Sequence, residues 1–288
     1  MPEGLWDAHT HLTWWGPDAL DSLVKYGVVG VRDLGSDAYT LAKWRDEIAR
    51  GTRRGPMIFF AGGQIDGPKE STKWRTIVTT EPQARRAVDS LADLGVSFIK
   101  THNKITPELF FVVLRQARAR GLRVAAHLPE GITAWAAADS GVGSLEHMAE
   151  SILVSPIWAG YAKTLREAGD WWLSPAGDTM IVHLARTGVA VTPTLAAYQE
   201  WVREKGVPET TTAGRQRALD LQMQLTERFY RAGITILAGS DFADKDWTVT
   251  PGVTLLEEVR LLEASGLTPR DARRAASTNI IEWIKQRP

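Results

Sequence analysis

Short runs rich in Val, Ile, Phe and Ala recur along the chain, and each precedes a longer stretch whose apolar positions return every three or four residues. The short runs cover residues 5–12, 28–34, 57–61, 97–102, 123–128, 144–148, 189–195 and 235–241, and they read as eight strands. Between them, helical patterns start near Thr, Ser or Pro and stop at Gly, as in PQARRAVDSLADLG from Pro82, TPELFFVVLRQARARG from Thr106 and RQRALDLQMQLTERFYRAG from Arg215. The rhythm is βα throughout. It predicts an α/β protein, a (β/α)8 TIM barrel, although connectivity alone also allows an open doubly wound sheet. Two connections outrun the rhythm, GGQIDGPKESTKWRTIVTT after the third strand and residues 151–178 after the sixth, and long βα loops tend to carry function. TPRDARRAASTNIIEWIKQ reads as one or two closing helices on the outer layer. With no short repeat or linker, residues 1–288 are expected to form a single domain.

Composition narrows the chemistry. The 288 residues suit one uninterrupted barrel, and 34 basic residues balance 34 acidic ones, so no global field draws nucleic acid or an anionic membrane. A small neutral or mixed-charge substrate fits better. Absence of cysteine excludes disulfides, thiolate ligands and cysteine nucleophiles, leaving His, Asp, Glu and Lys as metal-binding side chains. MPEGLWDAHTHL lacks the features of a signal peptide, and no window approaches the length of a membrane span. A cytoplasmic location is the expectation, although a trimmed secreted form would read the same. Among twelve Trp, Trp14 and Trp15 follow the first strand and are candidates for substrate contact, with packing as the ordinary alternative.

His9 and His11 end the first strand at i and i+2, where side chains share a face. Alone, an H-x-H is weak. Here Lys100 ends the fourth strand, His127 the fifth, His147 the sixth and Asp241 the eighth, so metal-binding types gather at five strand ends, as a barrel mouth requires.

This set, in this order, resembles the amidohydrolase superfamily. WDAHTHL, GVVGVRDLGS, FIK, GSLEHM, VTPTL, AGSDF and PGVTLLEEVRLLEASGLTPRDARRAAS are similar to its imidazolonepropionase-related branch, over almost the whole chain. The resemblance implies a hydrolase in which His9, His11 and Asp241 hold one metal and His127 and His147 a second, with carboxylated Lys100 bridging both. Two Zn2+ ions per chain are expected, with Mn2+, Co2+ or Fe2+ as alternatives. A hydroxide between the metals would attack the carbonyl of an amide, lactam or ester, and Asp241 would pass its proton to the leaving group.

Other readings stay open. His127-Leu128-Pro129-Glu130 has the H-x-x-E spacing of the superfamily's mononuclear deaminases, although Glu130 also reads as a plain helix start. A catalytically silent barrel scaffold is a third. His102 and Tyr198 are candidate substrate contacts, and Arg75, Lys73 and Arg32 could meet a substrate carboxylate, whereas His183 reads as structural. Glu146, next to His147 on its strand, is expected to point the other way, toward the helices, in a buried pair with Arg or Lys. The related branch usually carries a small β-sandwich, for which this sequence has no room, so a minimal or trimmed barrel and a homodimer covering the bare surface are expected.

Overall fold

The computed structural model describes residues 1, 3–68, 73–205, 212–242 and 250–288, so residues 69–72 of the long third connection lie outside the described residues. Ten strands appear among them: β1 (Leu5–Thr10), β2 (Val28–Asp33), β3 (Met57–Phe60), β4 (Gln64–Asp66), β5 (Arg75–Ile77), β6 (Ile99–Thr101), β7 (Val124–His127), β8 (Ser144–Glu146), β9 (Ala190–Thr192) and β10 (Thr235–Ile236). All pair in parallel, in one sheet of order β1-β2-β3 and another of order β10-β9-β8-β7-β6-β4-β5.

Backbone bonds cross both junctions between the sheets. Ala8 N donates to Ala238 O and Asp241 N to His9 O, each at 2.8 Å, and Thr10 bridges Phe242, which ties the first strand to the last. At the other junction Ser97 N reaches Phe60 O at 2.8 Å, so β3 and β4 act as one interrupted strand that pairs first with β2 and then with β6.

The apolar residues separate into two cores. The larger lies between strands and helices. The smaller draws Trp6 and Ala8 from β1, with Leu34, Ala61, Phe98, Ala125, Ala190 and Leu237 from the other strands or their ends, and is capped by Ile280 and Trp283 of the helix Thr278–Lys285.

The predicted helices form where their caps stand. Thr80 and Gln83 make a reciprocal capping box for Glu81–Asp93, and Thr106 caps Pro107–Ala119. Such caps stabilise a helix by about 1 kcal/mol each. Three expectations need correction. The third connection contains β4 and β5 and is not plain loop, because its Gln64–Asp66 stretch finds a free edge on β6. Residues 151–178 carry helices Ser155–Trp158 and Leu165–Trp172, after a π-helical turn Met148–Ile152. The regular pairing of the eighth strand with β9 ends at Ile236, five residues early, because beyond Leu237 the backbone donors go elsewhere: Ala238 N to Ala275 O of the closing helices and Ser240 N to the Asp7 carboxylate. Among the described residues no helix is long and apolar enough to cross a membrane.

One buried acid makes the fold pH-sensitive. Glu258, fully buried on the helix Val253–Ala264, accepts a 2.8 Å bond from Ala196 N at the start of the helix Leu195–Lys205. Burial raises its pKa from the ordinary 4.5 to about 8, against the lowering effect of the backbone donors. The fold therefore favours the protonated form: Glu258 contributes its full stability below 4.5 and loses it as pH rises through about 8. Urea titrations should show Glu258→Gln gaining on the wild type by roughly 2–4 kcal/mol between about pH 5 and pH 9. A pH-independent difference would refute the assignment.

Candidate metal centre

The expected ligands meet at the C-terminal ends of the strands. His9 Nε2 lies 3.4 Å and His11 Nε2 3.2 Å from Asp241 Oδ1, and His147 Nδ1 lies 3.5 Å from Asp241 Oδ2. Ring centroids of His9 and His147 are 4.6 Å apart, and those of His127 and His147 5.0 Å. Lys100 is 1% exposed on β6. His11, Asp241, His127 and His147 line one cavity of about 180 Å³, together with Trp14, Gln64, Arg75, His102 and Glu150.

Sequence alternation brings His9 and His11 to the mouth, but His147 and Asp241 arrive by a bent backbone. Four described non-glycine residues have left-handed φ, and three of them stand here: His147 at 66°, Thr194 at 53° and Asp241 at 49°. Such conformations cost on the order of 1–3 kcal/mol each and gather at functional sites. Glycine serves close approach at Gly239, where a Cβ would sit 2.6 Å from His9 Cβ.

Carbonyl and carboxylate acceptors fix the histidine tautomers. His9 Nδ1 donates to Glu146 Oε2 at 2.9 Å, so its Nε2 presents a lone pair to Asp241; His11 Nδ1 donates to Gly35 O at 2.8 Å, and its Nε2 faces the same carboxylate at hydrogen-bond distance. Burial drives His9, His127 and His147 well below the ordinary histidine value, which keeps them neutral as ligands must be. His11 is raised, because Asp241 outweighs its burial, and Asp241 is lowered by His9 and His11 despite its own burial. Burial brings Lys100 down to about 8, against Glu146 and Asp241.

A cation fits this chemistry. The lone pair of His9 Nε2 and the Asp241 carboxylate face each other with no donor between them, and His9, His11 and Asp241 offer ligand atoms within 4.8 Å of one another. Buried His9 Nε2, His127 Nδ1 and Lys100 Nζ also have no hydrogen-bond partner. Unsatisfied buried polar atoms are rare unless something else binds them.

Several expectations change. Glu146 does form the expected buried pair with Arg, but it points inward: its oxygens take His9 Nδ1 and Arg32 Nη2, the latter at 2.8 Å. It shares the interior with His147 because the left-handed turn at His147 breaks alternation. Arg32 cannot greet a substrate, being 0% exposed and held by Glu146, Ala8 O and the Trp283 face. Glu130 is about half exposed in a 2.6 Å pair with Lys104, and it is not among the residues that line the cavity. Trp15 packs on Phe242 and the outer core. Tyr198 lines a neighbouring cavity, Lys73 lies over the Trp14 ring, and His183 stacks on Trp135 while pairing with Asp139. Trp14, Arg75 and His102 do reach the cavity that His11, His127, His147 and Asp241 line, with Arg75 bound to Asp66 at 2.9 Å. Sequence reasoning missed Gln64, whose only signal was a place in the long third connection, and Glu150, which sits just before the second long connection and had no signal.

No family model and no curated protein matches the chain. Solved structures do. A bottromycin amidohydrolase superposes with a TM-score of 0.80 at 21% identity, covering 99% of this chain and 68% of its own. An A. niger ochratoxinase gives 0.72 at 19%, covering 98% and 71%, and a Bifidobacterium longum structure described as a putative prolidase gives 0.70 at 22%, covering 98% and 69%. The chain shares their fold. At such identities the likeness speaks for architecture, so function must rest on the side chains.

Proposed function

We propose that this chain is a metal-dependent hydrolase of small-molecule amides, lactams or esters, built on a closed (β/α)8 barrel of the amidohydrolase type. The observation that carries the reading is the convergence of His9, His11 and Asp241 beside Lys100, His127 and His147, with buried ligand atoms left unpartnered. The names of the similar structures, amidohydrolase and prolidase among them, point the same way, and the sequence motifs favour the imidazolonepropionase-related branch.

His9, His11 and Asp241 would hold one metal; His127, His147 and a carboxylated Lys100 would hold the second. When bound, divalent ions, zinc in the first instance, supply Lewis acidity that activates water and polarises the carbonyl. The chain's own groups do the rest. Lys100 Nζ, buried and unpartnered, attacks carbon dioxide, forming an N–C bond and releasing one proton, and so supplies an anion where cations gather. Asp241 Oδ2 takes the proton from the attacking water and returns it to the leaving nitrogen or oxygen. Glu146 holds His9 in the tautomer that presents Nε2. Trp14, His102 and Arg75 border the cavity and orient the substrate.

Elemental analysis of protein grown with zinc and bicarbonate should find about two metal equivalents per chain, falling to about one in Lys100→Ala. Chelation should remove turnover of acyl-amino acids, aryl amides, lactams or esters, and zinc should restore it. Turnover that persists without metal would overturn the proposal.

A further inference from the structure

The metal cavity, at about 180 Å³, accommodates little beyond the reacting bond, since small-molecule sites usually occupy roughly 300–1,000 Å³. A second cavity, of about 720 Å³, shares a wall with it. That wall is the π-helical turn Met148–Ile152, which follows directly on His147: Glu150 lines the metal cavity, whereas Ala149 and the next residue after the turn, Leu153, line the larger one. Tyr198 lines the larger cavity within electrostatic reach of Glu150, which adds to burial in raising its phenol pKa. The two spaces therefore adjoin at Glu150 and Tyr198.

Their chemistry differs. Leu153, Leu165, Leu173 and Leu221 make most of the larger cavity's surface apolar, although Arg166, Asp170 and Arg217 also line it, and Leu165 and Leu173 keep 58% and 43% of their surface exposed. Clustered bare leucines beside a cavity mark a binding surface. Across the metal cavity the wall is polar, with Gln64, Arg75 and His102.

We propose that the larger cavity receives the apolar acyl group of the substrate, which runs from the metal ligands past Tyr198 between the helices Leu165–Trp172 and Thr212–Arg231. The polar leaving group then lies on the Arg75 side. This rests on the hydrolase reading and adds a substrate class to it: amides of medium-chain or aromatic acids.

The test is a series of N-acyl alanines from acetyl to decanoyl, with the zinc-loaded protein. The ratio kcat/KM should rise roughly threefold per added methylene until the cavity fills. Leu173→Glu, a change at an exposed position, should flatten that rise, so that the decanoyl-to-acetyl ratio of kcat/KM falls about tenfold or more. Calorimetric binding of the same series to Asp241→Asn protein separates the two claims. Tighter binding of decanoyl than of acetyl alanine, weakened about tenfold or more by Leu173→Glu, supports the acyl site even without turnover, in which case only the hydrolase reading falls. Turnover or binding indifferent to chain length overturns the acyl site and leaves the hydrolase reading intact.

Discussion

Asp241→Asn should lower kcat by roughly 10²–10⁴-fold while leaving the protein folded. The substitution preserves size, so the cavity keeps its shape, but Asn can neither carry the proton nor match the charge that His9 and His11 converge upon. The backbone bond from Asp241 N to His9 O does not depend on the side chain and remains. Thermal unfolding should therefore move little, by about 1 kcal/mol or less, while metal content falls. A variant with wild-type kcat and full metal content would remove Asp241 from both of its proposed roles.

The second large effect lies one layer deeper. Glu146 and Arg32 are both 0% exposed, and neither charge has water to fall back on. Replacing Glu146 with Leu strands the Arg32 guanidinium, and equilibrium denaturation should record a loss of about 3–5 kcal/mol. The same change frees His9 Nδ1, so competition with a chelator should show metal affinity falling about 10–100-fold. The paired variant Arg32→Met/Glu146→Leu distinguishes the two effects. It should regain most of the stability, because no buried charge is left over, yet keep the weakened metal binding, because His9 still lacks its acceptor. Full recovery of affinity in the paired variant would show that Glu146 acts only through Arg32.

Much of this arrangement is legible in the sequence. Period-two alternation places His9 with His11, and strand ends place Lys100 and His127 on their side, because parallel strands with helical crossovers all finish on the same side, whereas Asp241 arrives on a bent backbone beyond its strand. What escapes is what alternation cannot encode. His147 and Glu146 are neighbours that share the interior through one left-handed residue, and nothing in GSLEHM announces the turn. Arg32 reads as a cation that could meet a substrate carboxylate, since arginine is seldom fully buried. Its partner is 114 residues away. Trp15 and Tyr198 follow strand ends as Trp14 does, but the helical backbones that carry them rotate Trp15 into the outer core and Tyr198 into the adjoining cavity.

The Glu146 network also governs when the site can exist. His9 meets Glu146 across 137 residues, Arg32 meets the same carboxylate across 114, and the indole of Trp283, from the opposite end of the sequence, lies 4.1 Å from the Arg32 guanidinium with Arg123 also over its ring at 4.6 Å. Contacts this remote form only after long loops have closed, which slows folding. The tautomer of His9 that donates Nδ1 to Glu146 is thus set late, when both ends of the chain have come together. Metal supplied to a refolding chain should accelerate none of the early steps, and its uptake should report the final one.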